Sequence, residues 1–215
     1  ILANPNSPTG TIIEKKIMIK ILNNCKKLNI PIVIDEAYDG FFKFSYVNLI
    51  RKFPNLIITK TFSKSYGLAG LRLGYAISNK KISNLLNKFR PMYEINSIAC
   101  LAAEFFLKNI NYEKQHIKEI DKSKNYLKKE LTKMKIDYLD TYANFFHIKV
   151  GKKIKYLEQY FKRNKILFRK GPGVKGFEEY ARFSVGSVLQ MKKVIRLIKN
   201  INERNLYISR KSFKR

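Results

Sequence analysis

Lys64 stands in the stretch Thr59 to Ala76, TKTFSKSYGLAGLRLGYA, in a polar, glycine-bearing turn. Ile57 and Ile58 end a short apolar run, NLIIT. Thr61 and Ser63 immediately precede the lysine, and Arg72 follows eight residues after it, entering a second apolar run, LGYAI. An amine delivered by a loop at a strand end suits Schiff-base chemistry on a carbonyl compound. Hydroxyls just before it and a guanidinium soon after would hold a phosphate on the same molecule. By itself TxSK is also what a solvated loop with an ordinary surface lysine looks like, in a chain with 44 lysines and arginines. The rest of the sequence has to decide.

Asp35 is the second position of this kind. It closes the apolar run IPIVID, where a carboxylate is costly unless a cation or hydrogen-bond donor meets it. Tyr38 follows three residues later with a phenolic hydroxyl. The plainer reading of Asp35 is an acidic residue capping a turn.

The elements that must carry these residues follow from periodicity. Ile17, Ile21, Leu22, Cys25 and Leu28 repeat with helical spacing, so residues 13–29 are expected to form an amphipathic helix that Pro31 ends. IPIVIDEAY, NLIITK and RLGYAIS read as buried strands. Strands that alternate with helices imply an α/β fold with a mostly parallel sheet and a site at the carboxyl ends of its strands. Asp35, Lys64 and the opening turn NPNSPTG all fall at such ends. A helix is expected over 80–89, stopping at Pro91, and a long helical stretch over 97–134, broken near 109–111. The apolar stripe Ile117, Ile120, Leu127, Leu131 and Met134 marks its core-facing side. Beyond it ANFFHIKV alternates, 152–163 is helical, KILFRK and EYARFSV are short strands, and 191–201 is a closing helix. This α+β layout implies a second, smaller domain. The expected division is 1–93 for part of a larger domain, 94–208 for the smaller one and 209–215 for a basic tail.

Composition narrows the classes. The 215 residues carry a formal net charge of +28, which can mark a nucleic-acid binder. Here the basic residues are scattered doublets, such as Lys15-Lys16, Lys80-Lys81 and Lys128-Lys129, on polar helix faces. No zinc-ligand or RNP-type motif accompanies them. A bias toward Lys, Asn and Ile accounts for the charge, and a basic binding module is the rival class. No apolar run is long enough for a membrane helix. Cys25 and Cys100 lie on apolar helix faces and are expected to be buried free thiols. His116 and His147 have no paired ligands, so no metal site is expected; His147 is placed on the polar face of a strand. Lys170 to Gly176 contains a literal GxGxxG, but the next segment reads as a strand, so a loop is expected rather than a dinucleotide site. The opening ILANPNSPTG looks like a strand end and its loop, which makes the chain an expected fragment of a longer protein.

Taken in order, NPNSPTG, IVIDEAY, TFSKSYGLAGLRLGY and ARFSVGS closely resemble the fold-type-I pyridoxal-phosphate aminotransferases, particularly the histidinol-phosphate branch. The resemblance covers all but the tail. It implies an aspartate-aminotransferase-like fold and pyridoxal 5′-phosphate as cofactor, with Lys64 as Schiff-base lysine and proton carrier. Asp35 would pair with the pyridine nitrogen and keep it protonated, so that the ring accepts electrons from a substrate carbon. Tyr38 would meet the ring oxygen, and Thr61, Ser63 and Arg72 the phosphate. Arg182 and Arg169 would hold the substrate's anionic groups. Where the family usually has a second asparagine before PTG, this chain has Ser7, so the ring-oxygen contact falls to Ser7, Asn6, Tyr38 or water. The resemblance further implies glutamate/2-oxoglutarate as donor pair, histidine biosynthesis, a homodimer and a cytoplasmic location. The same core also occurs in aromatic aminotransferases, phosphothreonine decarboxylases and polysaccharide-pathway enzymes. Family members have upstream residues that cradle the phosphate and stack on the ring, so this fragment alone is expected to be inactive.

Overall fold

The computed structural model describes residues 1–151, 154–171 and 173–203; the expected basic tail lies outside the described residues. The chain divides into two compact units, Ile1–Ile117 and the remainder from Lys118.

In the first unit β1 (Leu2–Ala3), β2 (Ile32–Asp35) and β3 (Leu56–Thr61) pair in parallel, and β4 (Gly74–Ile77) adds antiparallel to β3. The sheet is mostly parallel, as the sequence implies. Strand parity divides it into two faces. Ile32, Ile34, Leu56 and Ile58 point to one, where they close a core with Met18, Leu22, Tyr46 and Phe53. Val33, Asp35, Ile57, Thr59 and Thr61 alternate with them and are only half-buried. Helix α1 (Lys15–Lys27) covers the core face through Met18 and Leu22, both 0% exposed. The expected apolar stripe is shifted: Ile17 and Leu28 face solvent, because the helix docks on the Met18–Leu22 ridge four residues apart. β4 also departs from expectation. Gly74, Tyr75 and Ala76 are exposed rather than buried, since β4 is the last strand in the order and has only β3 beside it.

Helices α2 (Lys80–Asn87) and α3 (Ser97–Lys108) each start at an asparagine. Asn79 accepts from the Ile82 N–H and Asn96 from the Ala99 N–H, both at 2.8 Å, satisfying a donor that the first turn leaves free. Asn109 leaves helical geometry, and α4 (Asn111–Lys133) starts two residues on. The break therefore falls where the sequence places it. Cys25 is half-buried and Cys100 exposed, so the second thiol is not in a core.

In the second unit β5 (Tyr138–Leu139), β6 (Phe145–Lys149), β7 (Arg169–Lys170) and β8 (Tyr180–Ser184) form an antiparallel sheet in the order β5-β6-β8-β7. Phe146, Ile148, Ala181 and Phe183 share one face and are all buried; Phe161 of α5 (Ile154–Arg163) packs on Phe183 with ring centroids 5.4 Å apart. From α4, Ile120, Leu127 and Leu131 are buried, as are Val194, Ile195 and Ile198 of α6 (Val188–Glu203). His147 corrects an expectation. It is 0% exposed, enclosed by the rings of Phe145 and Phe177 at 5.5 and 5.0 Å. The alternation in ANFFHIKV therefore does not separate a wet from a dry face. Gly171, Gly173 and Gly176 have φ of 39°, 76° and 89° and lie in the loop between β7 and β8, so no helix opens there to receive a dinucleotide.

Leu22 sits at the centre of the first unit's core. Leu22→Ala is expected to lower stability by about 2–5 kcal/mol, read from the urea midpoint of the complete protein at unchanged m-value.

Candidate active site

The carboxyl ends of β2 and β3 bring the expected residues together. Asp35 ends β2 in register with Ala3 and Thr59. Its Oδ1 accepts two hydrogen bonds, from the Thr59 hydroxyl and the Ala37 N–H, each 3.1 Å. Both fall on one oxygen, which leaves Oδ2 open to a further donor among the described residues. Thr59 was not singled out by sequence; its signal is a hydroxyl at site-face parity in an otherwise apolar strand.

Tyr38 lies in the turn after β2 and is 7% exposed. The Lys64 Nζ stands 5.5 Å from the centroid of its ring, so the amine and the phenol are delivered to one place by two successive strand ends. Thr61 closes β3 with its hydroxyl donating to the Leu73 carbonyl (3.2 Å) and accepting from the Ser63 N–H (3.1 Å). It braces the turn from within, leaving the Ser63 hydroxyl as the freer donor. Arg72 has φ 55° in the left-handed region, and its Nη1 donates to the Ala69 carbonyl at 2.9 Å. The residue itself is exposed. Gly74 follows because a Cβ there would meet the Lys60 carbonyl oxygen at 2.8 Å.

Asn6 and Ser7 occupy the loop after β1, half-buried and exposed respectively. That loop is closed by bonds from the Asn6 N–H to the Thr11 carbonyl and from the Gly10 N–H to the Asn6 carbonyl, both 2.8 Å. Asn4, at its root, is 1% exposed. It donates its N–H to the Asp35 carbonyl and accepts from the Ile13 N–H, while its Nδ2 is buried without a partner among the described residues.

Directly beneath, on the core face, lies a cluster that sequence reasoning missed. Lys60 Nζ is 2.5 Å from Asp39 Oδ2 and 3.5 Å from Glu36 Oε2. Glu36 is 2% exposed and accepts from the Ser45 hydroxyl (2.6 Å) and the Tyr46 N–H (2.7 Å). Burial pushes the Glu36 carboxyl above its ordinary value, against the bonds from Ser45 and Tyr46 and the charge of Lys60. Burial alone would lower the Lys60 ammonium, but the hydrogen bond and charge of Asp39, with the charge of Glu36, hold it above its ordinary value. The clamp ties the turn bearing Tyr38 to the strand leading to Lys64. Its signal was a lysine at core-face parity in NLIITK.

Arg169 and Arg182 belong to the second unit. They are directly opposite each other on β7 and β8, and Arg182 is also opposite His147 on β6. Three cationic or protonatable side chains thus form one row on one face, and the Arg182 guanidinium lies 5.0 Å from the Phe145 ring centroid. No cluster of His, Cys, Asp and Glu that could hold a metal occurs among the described residues.

An amine over a phenol, a carboxylate with one oxygen open among the described residues, and a turn bearing hydroxyls and a guanidinium thus stand at the carboxyl ends of a mostly parallel sheet. Known proteins resemble this chain as follows. Residues 1–201 match the family model "Aminotransferase class I and II". Histidinol-phosphate aminotransferase 2 of Carboxydothermus hydrogenoformans is 32% identical over 207 residues, covering 94% of this chain and 57% of that protein. The histidinol-phosphate aminotransferase of Clostridium acetobutylicum superposes with a TM-score of 0.85 at 26% identity, over 94% of this chain and 63% of that one. The Sinorhizobium meliloti enzyme, solved in complex with pyridoxal-5′-phosphate, gives a TM-score of 0.80 at 24% identity, over 93% and 57%. The chain belongs to the class I and II aminotransferase family. That family works with pyridoxal 5′-phosphate, and the fold is that of fold-type-I pyridoxal-phosphate enzymes. The chain spans about half the length of the curated relatives it matches.

Removing the clamp's cation tests its role. Lys60→Met leaves Glu36 buried with no positive partner, so its carboxyl rises further. An acid raised in the folded state contributes stability below its unfolded value and loses it as pH climbs. The expected loss against wild type is about 3 kcal/mol near neutrality, the low end because Asp39 is 34% exposed. It should shrink towards pH 4.5, the ordinary glutamate value, in urea unfolding across that range.

Proposed function

We propose that the complete protein is a pyridoxal-phosphate-dependent transaminase, with histidinol phosphate and the glutamate/2-oxoglutarate pair as its substrates, acting in histidine biosynthesis. The observation that carries this reading is the delivery of Lys64 and Asp35 by neighbouring parallel strand ends, with Tyr38 under the amine.

When bound, the cofactor supplies an aldehyde carbon and an electron-accepting ring. The residues present fit it. Asp35 Oδ2 has the open lone pairs to accept from a protonated ring nitrogen, and the Thr59 bond holds the carboxylate in place for it. Tyr38, with Asn6 or Ser7, offers donors to the ring oxygen. Ser63, Arg72 and the Thr61-braced turn offer hydroxyl, guanidinium and backbone donors to the phosphate. Lys64 Nζ is the amine for the aldehyde; once displaced by the substrate amine it takes the proton from the substrate Cα and returns one at the other end of the transfer. Arg182 and Arg169 provide paired guanidinium groups for the substrate's anionic groups. By this reading residues 1–93 belong to the larger domain and 94–208 to the smaller one. By the same family resemblance the working form is a cytoplasmic homodimer. No helix among the described residues is long and apolar enough to cross a membrane.

Three experiments on the complete protein address this. In single-turnover reactions with a panel of amines, histidinol phosphate should convert the bound cofactor to its amine form. Phosphothreonine and the aromatic amino acids should not, and a reversed ranking removes the substrate assignment. Lys64→Ala should lower turnover about 10³-fold or more and abolish covalent trapping by borohydride. For the arginine row, Arg182→Gln should raise KM for the phosphorylated substrate by about tenfold or more. It should not destabilise the protein, because it also removes a like-charge neighbour of Arg169.

A further inference from the structure

We propose that His116 is a positioning residue for the lysine turn, holding the backbone immediately after Lys64 through the carbonyl of Ser65. The inference rests on Lys64 being the cofactor amine.

His116 lies on α4, half-buried, with Nδ1 2.6 Å from the Ser65 carbonyl oxygen. A carbonyl only accepts, so Nδ1 carries the hydrogen. Ser65 is 3% exposed, and a carbonyl in such a place is costly to leave unpaired. The Phe41 ring meets the imidazole edge-on at a centroid distance of 6.3 Å, which limits the ring's freedom to turn away.

His116 does not act alone on that surface. Glu113, three residues earlier and on the same helix face, bonds the Tyr66 hydroxyl. The phenol is raised above its ordinary value by burial first, then by the charge and hydrogen bond of Glu113. Ile117, the next residue after His116, places its Cδ1 2.7 Å from where a Cβ on Gly40 would stand, and Ser65 Cβ is 3.1 Å from the same point. Gly40 has φ +88° and no side chain, which is why the two turns and the helix can meet there. One face of α4 thus grips both the turn that follows Tyr38 and the turn that carries Lys64.

The consequence falls on the lysine itself. The Lys64 turn is closed by bonds from the Gly67 N–H to the Lys64 carbonyl (3.1 Å) and from the Leu68 N–H to the Phe62 carbonyl (2.9 Å). With the Ser65 carbonyl also fixed, the peptide groups following Lys64 are anchored, and the amine emerges from a set backbone. A nucleophile that must meet one carbon gains most from that kind of preorganisation.

The test uses the complete protein as wild type, His116→Leu, which removes the donor, and His116→Asn, whose side-chain amide stands near the Nδ1–H position. Borohydride trapping with pyridoxal phosphate and mapping of the modified lysine in wild type asks only whether Lys64 is the amine. Failure there overturns the reading on which the inference rests and says so separately. Hydrogen exchange on cofactor-free protein then follows the Gly67 and Leu68 amides. In His116→Leu they should exchange about tenfold faster, the ratio one net hydrogen bond supports, with the amides of α1 unchanged. In His116→Asn they should return to wild-type rates. With cofactor bound, the induced circular dichroism of the ring should fall in the leucine variant and recover in the asparagine one. Wild-type exchange in His116→Leu, or an asparagine variant as loose as the leucine one, overturns the inference. If His116→Leu does not fold, His116→Ala, which also removes the donor, takes its place: faster exchange at the same two amides supports the inference and wild-type exchange overturns it.

Discussion

Parallel pairing of β2 with β3 puts Ile32 beside Leu56, Ile34 beside Ile58 and Asp35 beside Thr59. Those apolar pairs close the core with Met18, Leu22 and Phe53, and they leave the register no freedom. A slip of one residue would turn Ile34 and Ile58 out of the core and flip every site-face side chain with them. The carboxylate and the lysine turn are therefore placed by hydrophobic burial on the far side of the sheet. The bonds from Thr59 and Ala37 to Asp35 then refine an arrangement that packing has already imposed.

The same parity explains why two polar clusters lie so close without merging. On the site face the strands end in Asp35, Thr59 and Thr61; on the core face they end in Glu36 and Lys60. The second pair is drier, with Glu36 2% exposed, and its charges are consumed by each other, by Asp39 and by Ser45 and Tyr46. Asp35 keeps an open oxygen where Glu36 has none to spare. Adjacent residues in the sequence motif DEAY thus take opposite places, Asp35 on the open face of the sheet and Glu36 fixing the turn that carries Tyr38.

Much of this was legible in the sequence, and the reasons are local. Apolar runs of four to six residues bounded by Pro31, by Asp35 and by the TFSKS turn identify β2 and β3, and strand ends are where α/β sheets expose chemistry. Asn109 and Asn111 mark the helix break, and the 171–176 glycines mark a loop because no helical pattern follows. What failed were statements about burial at the edges. β4 reads as apolar but is the last strand of its sheet, and His147 reads as polar but is sealed by Phe145 and by Phe177, thirty residues away in the chain. Cys100 lies on an apolar helix face that stays exposed. Periodicity reports which residues share a side, and only the tertiary neighbours say whether that side is covered. The partners of Lys60 and His116 were invisible for the same reason: the bond from His116 to Ser65 spans fifty-one positions.

The arginine row in the second unit follows from register in a less comfortable way. Antiparallel pairing sets Arg169 directly against Arg182 and Arg182 against His147, an arrangement in which like charges repel. Arg169 is exposed to water, whereas Arg182 is half-buried with its guanidinium 5.0 Å from the Phe145 ring centroid, where water screens it less. A strand that kept this pairing for stability alone would gain by exchanging either residue for a neutral one. The pairing makes physical sense as a surface whose repulsion is relieved by an anion. The Arg182 guanidinium, beside the Phe145 ring and carried by the β6–β8 ladder, has its place set by the sheet. In the first unit the Asp35 carboxylate keeps one oxygen open among the described residues, and in the second two guanidinium groups stand opposite each other, so each unit carries a charge arrangement of opposite sign.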